Sequence, residues 1–121
     1  MAESKFGPKF EEFYRAYLVC AVWASTDEDG SELDVEVGDF SDDALCELKK
    51  DCLSFWQAYR SKLVSDPEQA GHDFWLTRNR HGSGFWDGGW PKDLGAELTT
   101  AAHAYGSISL WVGEDGRIQV Q

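Results

Sequence analysis

Basic residues are missing from a long stretch in the first half of this chain. No Lys or Arg occurs between Arg15 and Lys49, although the whole sequence contains 11 of them. This absence excludes the stretch as a binder of the nucleic-acid backbone, because neutralising phosphates requires Lys or Arg. Ten of the 22 acidic residues fall inside the same gap, so the remaining 12 nearly balance the 11 bases. The net charge of −11 is therefore concentrated in residues 27–47, which are called the acidic stretch below.

Long apolar runs and paired cysteine motifs are also missing. No run approaches the roughly 20 apolar residues that a membrane-spanning helix needs, and residues 1–5 are too polar for a secretory leader. We therefore expect no membrane segment. The three cysteines, Cys20, Cys46 and Cys52, form no CxxC pair. An odd number of unclustered cysteines favours reduced thiols used as small core residues, in a protein of the cytoplasm.

Aromatic residues are abundant, which excludes a disordered acidic tail. Six Trp contribute to an aromatic content of 14%, and hydrophobic residues reach 42%. Disordered acidic segments contain far fewer of both. A chain of 121 residues has the usual size of one domain with one modest core. We predict a single domain over residues 1–121.

Apolar residues at spacings of three and four predict three helices. The first covers residues 8–24. The second begins after an N-cap at Ser41 and runs to about residue 64, with two Asp next to the positive end of its dipole. The third covers residues 92–105 and stops at a glycine. The first two are amphipathic enough to pack together as a helical hairpin.

Two β-hairpins are predicted in the second half of the chain. Residues 74–79 and 85–87 are rich in aromatic residues and flank a glycine-containing turn. Residues 107–112 and 117–120 flank a second turn with the sequence Gly-Glu-Asp-Gly, a strong hairpin signal. The expected order is a helical hairpin, a β-hairpin, a helix and a C-terminal β-hairpin. We therefore predict an α+β fold with a small antiparallel sheet.

A further short edge strand is predicted within the acidic stretch. Leu33, Val35 and Val37 alternate with Asp34 and Glu36, so the two acids would share one face. Acids on alternate residues of a strand are spaced by about 6.6 Å, close to the spacing of successive phosphates along one DNA strand. This spacing suits the imitation of a phosphate backbone.

The segment at residues 71–87 is the most distinctive string in the chain. It reads GHDFWLTRNRHGSGFWD and resembles the signature of a family of short, acidic proteins found in tailed phages and bacterial mobile elements. Residues 23–30, 66–70 and 109–116 add to the resemblance, which departs from the family pattern at Arg80, where Gly is expected. The family has no established activity. The resemblance therefore implies a phage-encoded protein of the bacterial host cytoplasm, and it implies no catalytic residue.

Catalytic and metal-binding interpretations are weaker than structural ones. His72 and His81 lie near several carboxylates, and a small enzyme using both imidazoles is one alternative. The favoured interpretation is that Asp73, Arg78 and Asn79 hydrogen-bond the glycine-rich turn. No nucleophile elbow, phosphate-binding loop or zinc-type spacing occurs, and the acidic stretch lacks the spacing of an EF-hand. We therefore predict a non-enzymatic protein without a metal or cofactor.

Two candidate interaction surfaces remain. The favoured one is the acidic stretch, with the partner-binding residues Asp27, Glu28, Asp29, Glu32, Asp34, Glu36, Asp39, Asp42 and Asp43. The alternative is an aromatic contact surface formed by Trp75, Arg78, Arg80, Trp86 and Trp90. Two arginines on a body this acidic would add little affinity for nucleic acid, so direct nucleic-acid binding is not expected.

The acidic stretch predicts a partner with a basic groove. Carboxylates this dense favour Lys and Arg on the opposing surface and accelerate association. The predicted function is a phage-type accessory protein that binds the nucleic-acid-binding groove of a host protein as a DNA mimic, in the manner of an anti-CRISPR or anti-restriction inhibitor. An interaction module that binds through the aromatic surface is the alternative. The sequence leaves the oligomeric state open, and an exposed Trp patch would favour a dimer.

Overall fold

Four helices and one small antiparallel sheet form the described part of this protein. The computed structural model describes residues 7–25, 35–80, 83–86 and 89–121. A single 3-10 turn, Val37–Asp39, precedes the second helix. The helices and strands are α1 (Gly7–Ala24), α2 (Asp42–Leu63), α3 (Pro67–Arg78), α4 (Lys92–His103), β1 (Leu110–Val112) and β2 (Ile118–Val120). None of these helices is both long and apolar enough to cross a membrane. The predicted α+β fold is confirmed.

The three helices predicted from apolar spacing are present within a few residues of their expected bounds. Ser41 caps α2 as predicted, since its Oγ accepts a hydrogen bond from the backbone N–H of Ala44 at 3.1 Å. α4 is followed by Gly106, whose φ of +76° is the left-handed conformation that ends many helices. The C-terminal hairpin is also confirmed, with Trp111 opposite Gln119 in its register. Local spacing and capping account for all of these elements.

The β-hairpin predicted from residue 74 onward is wrong, because most of its first strand belongs to α3. Asp66 caps this helix by accepting a hydrogen bond from the backbone N–H of Gln69, and Pro67 lies in its first turn. Buried side chains, both aromatic and polar, lie around most of α3, so the sequence lacks the one-sided apolar pattern of a surface helix. Phe85, from the second predicted strand, lies in a turn.

The edge strand predicted within the acidic stretch is also absent where the structure describes it. Leu33 and Asp34 lie outside the described residues, and Val37 begins the 3-10 turn instead of continuing a strand. Phe40 then forms one isolated parallel bridge with Ile118 of β2. The alternation of apolar and acidic residues therefore does not place the described acids on one strand face.

The core is an aromatic cluster contributed mainly by α1, α2 and α3. Phe55 of α2 stacks on Phe74 of α3 with ring centroids 4.2 Å apart, and both rings contact Phe13 of α1. α1 and α3 approach very closely at Gly71, where an added Cβ would meet the backbone carbonyl oxygen of Phe13. The predicted pair of α1 and α2 is therefore joined by a third helix, α3, which packs closely on α1 and contacts α2 through Phe74.

The three cysteines are free thiols in two different environments. Cys20 and Cys52 are buried, as expected for core residues, whereas Cys46 is exposed on α2. Burial raises the pKa of Cys20 to about 12, with a further contribution from the Asp73 carboxylate. Burial also raises the pKa of Cys52 well above its ordinary value. Both buried thiols therefore stay protonated at neutral pH.

Cys46 should be the only cysteine of the folded protein that reacts quickly with iodoacetamide near neutral pH. The other two thiols are shielded from solvent and protonated, and thiolate is the reactive form. Mass spectrometry after a short pulse should find one adduct, which Cys46→Ser should abolish. The other two adducts should appear only in denaturant. Rapid labelling of all three cysteines in native buffer would contradict this arrangement.

Candidate functional site

The acidic stretch is only partly described by the structure. Five of its nine predicted binding residues lie outside the described residues, namely Asp27, Glu28, Asp29, Glu32 and Asp34. The others lie just before the 3-10 turn, at its end and in the first turn of α2. These four residues, which are all at least partly exposed, are called the acidic face below: Glu36, Asp39, Asp42 and Asp43.

Backbone contacts order the acidic face. The Oδ2 atom of Asp39 accepts a hydrogen bond of 2.8 Å from the backbone N–H of Glu36, across the 3-10 turn. The next residue, Phe40, is buried, and the Ser41 hydroxyl donates to Gln119 Oε1 at 2.9 Å. The turn is therefore attached both to the core and to β2.

The carboxylates of the acidic face have no cationic partner among the described residues. The ion pairs found there are Lys9–Glu12, Asp51–Arg78 and Lys62–Glu97. Asp42 and Asp43 are stabilised instead by the positive N-terminal end of α2. Within the described part of the chain, the acidic face is therefore negative and has no neutralising side chain, which favours the approach of a cationic surface.

The predicted aromatic contact surface does not form, because two of its five members are core residues. Trp75 and Arg78 are each only 2% exposed. Trp90 is partly buried, and its indole N–H donates to a carboxylate of α3 at 2.7 Å. Trp86 and Arg80 are exposed. A partner could not contact all five side chains without unpacking α3.

Arg78 joins four parts of the chain through one buried guanidinium group. Its Nη1 donates to Asp51 Oδ2 at 2.7 Å and to the Tyr17 hydroxyl at 3.0 Å. Its Nε and Nη2 donate to the backbone carbonyl oxygens of Gly106 and Tyr105, at 2.9 and 3.0 Å. Burial lowers the pKa of Arg78, but the interactions with Tyr17 and Asp51 outweigh burial and leave this pKa above its ordinary value. The guanidinium therefore stays charged inside the core.

Other polar residues of the segment at 71–87 also hydrogen-bond neighbouring elements. Asn79 Oδ1 accepts a bond of 2.9 Å from the backbone N–H of Ile108, just before β1. Thr77 Oγ1 accepts a bond of 3.1 Å from the backbone N–H of Phe85. Among the described residues, the side chains of Arg78 and Asn79 therefore bond other elements of the fold, and residues 81 and 82 of the expected turn lie outside the described part.

Arg80 has the backbone conformation that usually requires glycine. It follows α3 with a φ of +57°, in the left-handed region. Gly is the residue expected at this position from the sequence, and the left-handed backbone is the conformation that Gly favours. The Arg80 side chain is exposed there.

The described residues form no metal site. No group of three or more His, Cys, Asp or Glu side chains among them is placed to hold a metal ion. His72 is partly buried on α3, and its backbone carbonyl accepts a weak hydrogen bond from Cys20 Sγ at 3.7 Å. His81 lies outside the described residues. Nothing in the described part of the chain favours the enzyme alternative.

Two exposed tryptophans were not among the predicted site residues. Trp23, near the end of α1, is 73% exposed, and Trp111 of β1 is 47% exposed. Trp23 comes shortly before the acidic stretch, and Trp111 alternates with Leu110 and Val112 along its strand. Because all three of these residues are apolar, the sequence contains no signal that Trp111 would be exposed.

No protein-family model, no curated protein and no solved structure matches this chain. The resemblance of residues 71–87 to a phage protein family therefore stays a prediction. The function has to be argued from the residues and contacts described above.

Proposed function

We propose that this protein is a non-enzymatic, phage-type accessory protein whose acidic stretch binds the basic nucleic-acid-binding groove of a host protein. In its concrete form it is a DNA-mimic inhibitor of a host defence system, such as an anti-CRISPR or anti-restriction protein, acting in the bacterial cytoplasm. One observation carries this proposal. The acidic face presents carboxylates on ordered backbone, and none of them has a cationic partner among the described residues.

Ordered backbone favours the acidic face as a competitor of DNA. A flexible acidic tail loses conformational freedom when it binds, whereas a preformed turn and helix start lose little. Asp39 is held by the backbone N–H of Glu36, and the two Asp of the first turn of α2 are fixed by that helix. The like charges repel one another in the free protein, and Lys or Arg side chains of a partner would relieve that repulsion.

The proposed mimicry depends on charge density and not on strand spacing. The 3-10 turn interrupts the alternation from which a spacing of about 6.6 Å was expected. Residues 36–43 still provide four carboxylates within eight consecutive positions. Duplex DNA carries roughly one charge per 1.7 Å of axis, so a protein groove built for DNA offers several cations to such a surface.

Neutralising the acidic face should weaken its binding to a basic host protein. The test variant combines Glu36→Gln, Asp39→Asn, Asp42→Asn and Asp43→Asn, which preserves side-chain size and keeps an oxygen acceptor at each position. A control variant neutralises four exposed acids elsewhere, Glu11, Glu12, Glu68 and Glu97. Both variants change the net charge by the same amount. The immobilised proteins are incubated with bacterial lysate at low and high salt, and retained DNA-binding proteins are quantified by mass spectrometry.

The wild type and the control variant should retain such a protein at low salt and release it at high salt, because exposed charges are screened. The acidic-face variant should bind it about tenfold more weakly or worse. Labelled duplex DNA should compete with the wild type for the purified partner. A partner that binds both variants equally, or the absence of any basic partner at both salt concentrations, would reject the proposal.

A further inference from the structure

The outer edge of β1 has unpaired backbone groups. Ser109 and Gln121 exchange both of their backbone hydrogen bonds, at 3.2 and 3.1 Å, in the hairpin. Hydrogen-bonded pairs alternate along an antiparallel ladder, so the N–H and C=O groups of Leu110 and Val112 point away from β2. No described residue pairs with β1 on that side. As far as the described residues show, the edge is therefore open to another strand.

The edge of β1 is the less covered of the two sheet edges among the described residues. On β2, the backbone N–H of Ser41 donates to the Ile118 carbonyl at 3.0 Å and covers the start of the outer side. On the β1 side, the N–H of Ile108 donates to Asn79 Oδ1, and no described residue bonds the outward backbone groups that follow. Residues 107–113 contain no charged residue and no Pro, which are the features that protect many natural edge strands.

We infer that a second copy of this chain pairs with β1 across this open edge. An antiparallel arrangement with Trp111 on the twofold axis places Leu110 opposite Val112 of the second copy. Each such pair exchanges two backbone hydrogen bonds, so every outward group of these two residues gains a partner. The two hairpins then form one four-stranded sheet with an isologous interface.

Trp111 suits the centre of this interface. On the twofold axis it forms a non-hydrogen-bonded pair with its own copy, where the two Cα atoms are about 4.5 Å apart and the side chains lie closest. Aromatic pairs at such positions are favourable, and burying the half-exposed indole removes apolar area from water. On the opposite face, Val112 packs against Leu110 of the second copy.

Charge complementarity favours a second copy over an unrelated strand. The same register places Glu114 of one copy opposite Ile108 of the other. The backbone N–H of Ile108 donates to the Asn79 side chain, and the exposed Arg80 is the next residue after Asn79. Each Glu114 therefore approaches Arg80 of the other copy, which gives two symmetric pairs of opposite charge. The overall charge of −11 on each copy opposes association, so the dimer should be weak.

Sedimentation equilibrium of the full chain over a range of concentrations tests this inference. We expect a monomer–dimer equilibrium with a Kd on the order of tens of micromolar, which tightens as NaCl screens the overall repulsion. Trp111→Ala should raise the Kd by about tenfold or more. Val112→Pro removes an outward N–H and should do the same. Trp23→Ala, which removes an exposed Trp from α1, is the matched control and should leave the Kd unchanged.

A charge exchange identifies the register. Glu114→Arg should weaken the dimer by facing Arg80, and adding Arg80→Glu should restore it, with circular dichroism confirming the fold of each variant. A protein that stays monomeric at its highest soluble concentration overturns the inference. A dimer insensitive to both Trp111→Ala and Val112→Pro also overturns it. The inference is independent of the proposed acidic-face partner, whose binding should weaken with salt while the dimer tightens.

Discussion

Arg78→Met is expected to lower the free energy of unfolding by about 3 kcal/mol and Tm by on the order of 10 °C. The substitution removes four hydrogen bonds donated by one buried guanidinium. It leaves the Asp51 carboxylate without its cation, and it leaves the Tyr17 hydroxyl and two backbone carbonyls without this donor. Urea unfolding followed by Trp fluorescence measures the change. The expected loss of stability is at the lower end of what removing one partner of a buried ion pair usually costs. The reason is that the Asp51 side chain is 33% exposed and can gain water.

Arg80→Met is the matched control for this prediction. Arg80 is two residues away, carries the same charge and is exposed, so its loss should change stability by no more than about 0.5 kcal/mol. Tyr17→Phe should fall between the two, at about 1 kcal/mol, since it removes one hydrogen-bond partner of Arg78. Equal small effects of Arg78→Met and Arg80→Met would show that the buried network does not stabilise the fold.

Gly71→Ala is expected to cost at least about 3 kcal/mol through a backbone clash between α1 and α3. An added Cβ would overlap the carbonyl oxygen of Phe13 and lie 2.9 Å from both Ala16 Cβ and the backbone nitrogen of Tyr17. These atoms belong to a helix backbone and its shortest side chain, so neither can rotate away. The two helices would have to separate, which would loosen the aromatic stack of Phe13 on Phe74. Thermal unfolding by circular dichroism measures the loss.

Gly38→Ala serves as the control for Gly71→Ala. A Cβ at residue 38 meets nothing within 4 Å, and its φ is not in the left-handed region. Ala also reduces the conformational freedom of the unfolded chain, so this variant should be neutral or more stable by up to about 1 kcal/mol. If Gly71→Ala were as stable as Gly38→Ala, the close approach of α1 and α3 at Gly71 would be contradicted.

These two predictions assign the distinctive segment at 71–87 mainly to folding. Gly71 allows two helices to meet, and Arg78 and Asn79 join α3 to α1, α2 and the segment before β1. A string of aromatic, polar and glycine residues can therefore be distinctive without forming a binding surface. The two surfaces proposed for partners, the acidic face and the edge of β1, lie mainly outside this segment.

Local signals predicted most of the elements correctly. The Ser41 cap, the apolar stripes of α1, α2 and α4, and the Gly-Glu-Asp-Gly turn each involve residues close together in the chain. Their structures depend on capping, side-chain periodicity and turn chemistry, which need no tertiary information. The concentration of negative charge follows from the order of residues and needs no tertiary information either.

Local signals did not predict α3 or the 3-10 turn before α2. α3 is buried on most sides and contains charged as well as aromatic core residues, so period-based reasoning assigned it to a strand. The expected edge strand gave way to a 3-10 turn because Phe40 and Ser41 attach to β2, almost 80 residues further along the chain. Neither contact has a signature in its own neighbourhood.

The order of residues was sufficient to establish the α+β class, most helix ends, the C-terminal hairpin and the acidic character of the first half. Tertiary packing alone assigned Trp75 and Arg78 to the interior and left Trp111 at an open edge. The physical reason is that burial depends on contacts between distant positions. Arg78 remains charged inside the core because Tyr17, 61 residues earlier, and Asp51 contact its guanidinium. No local sequence pattern encodes these contacts.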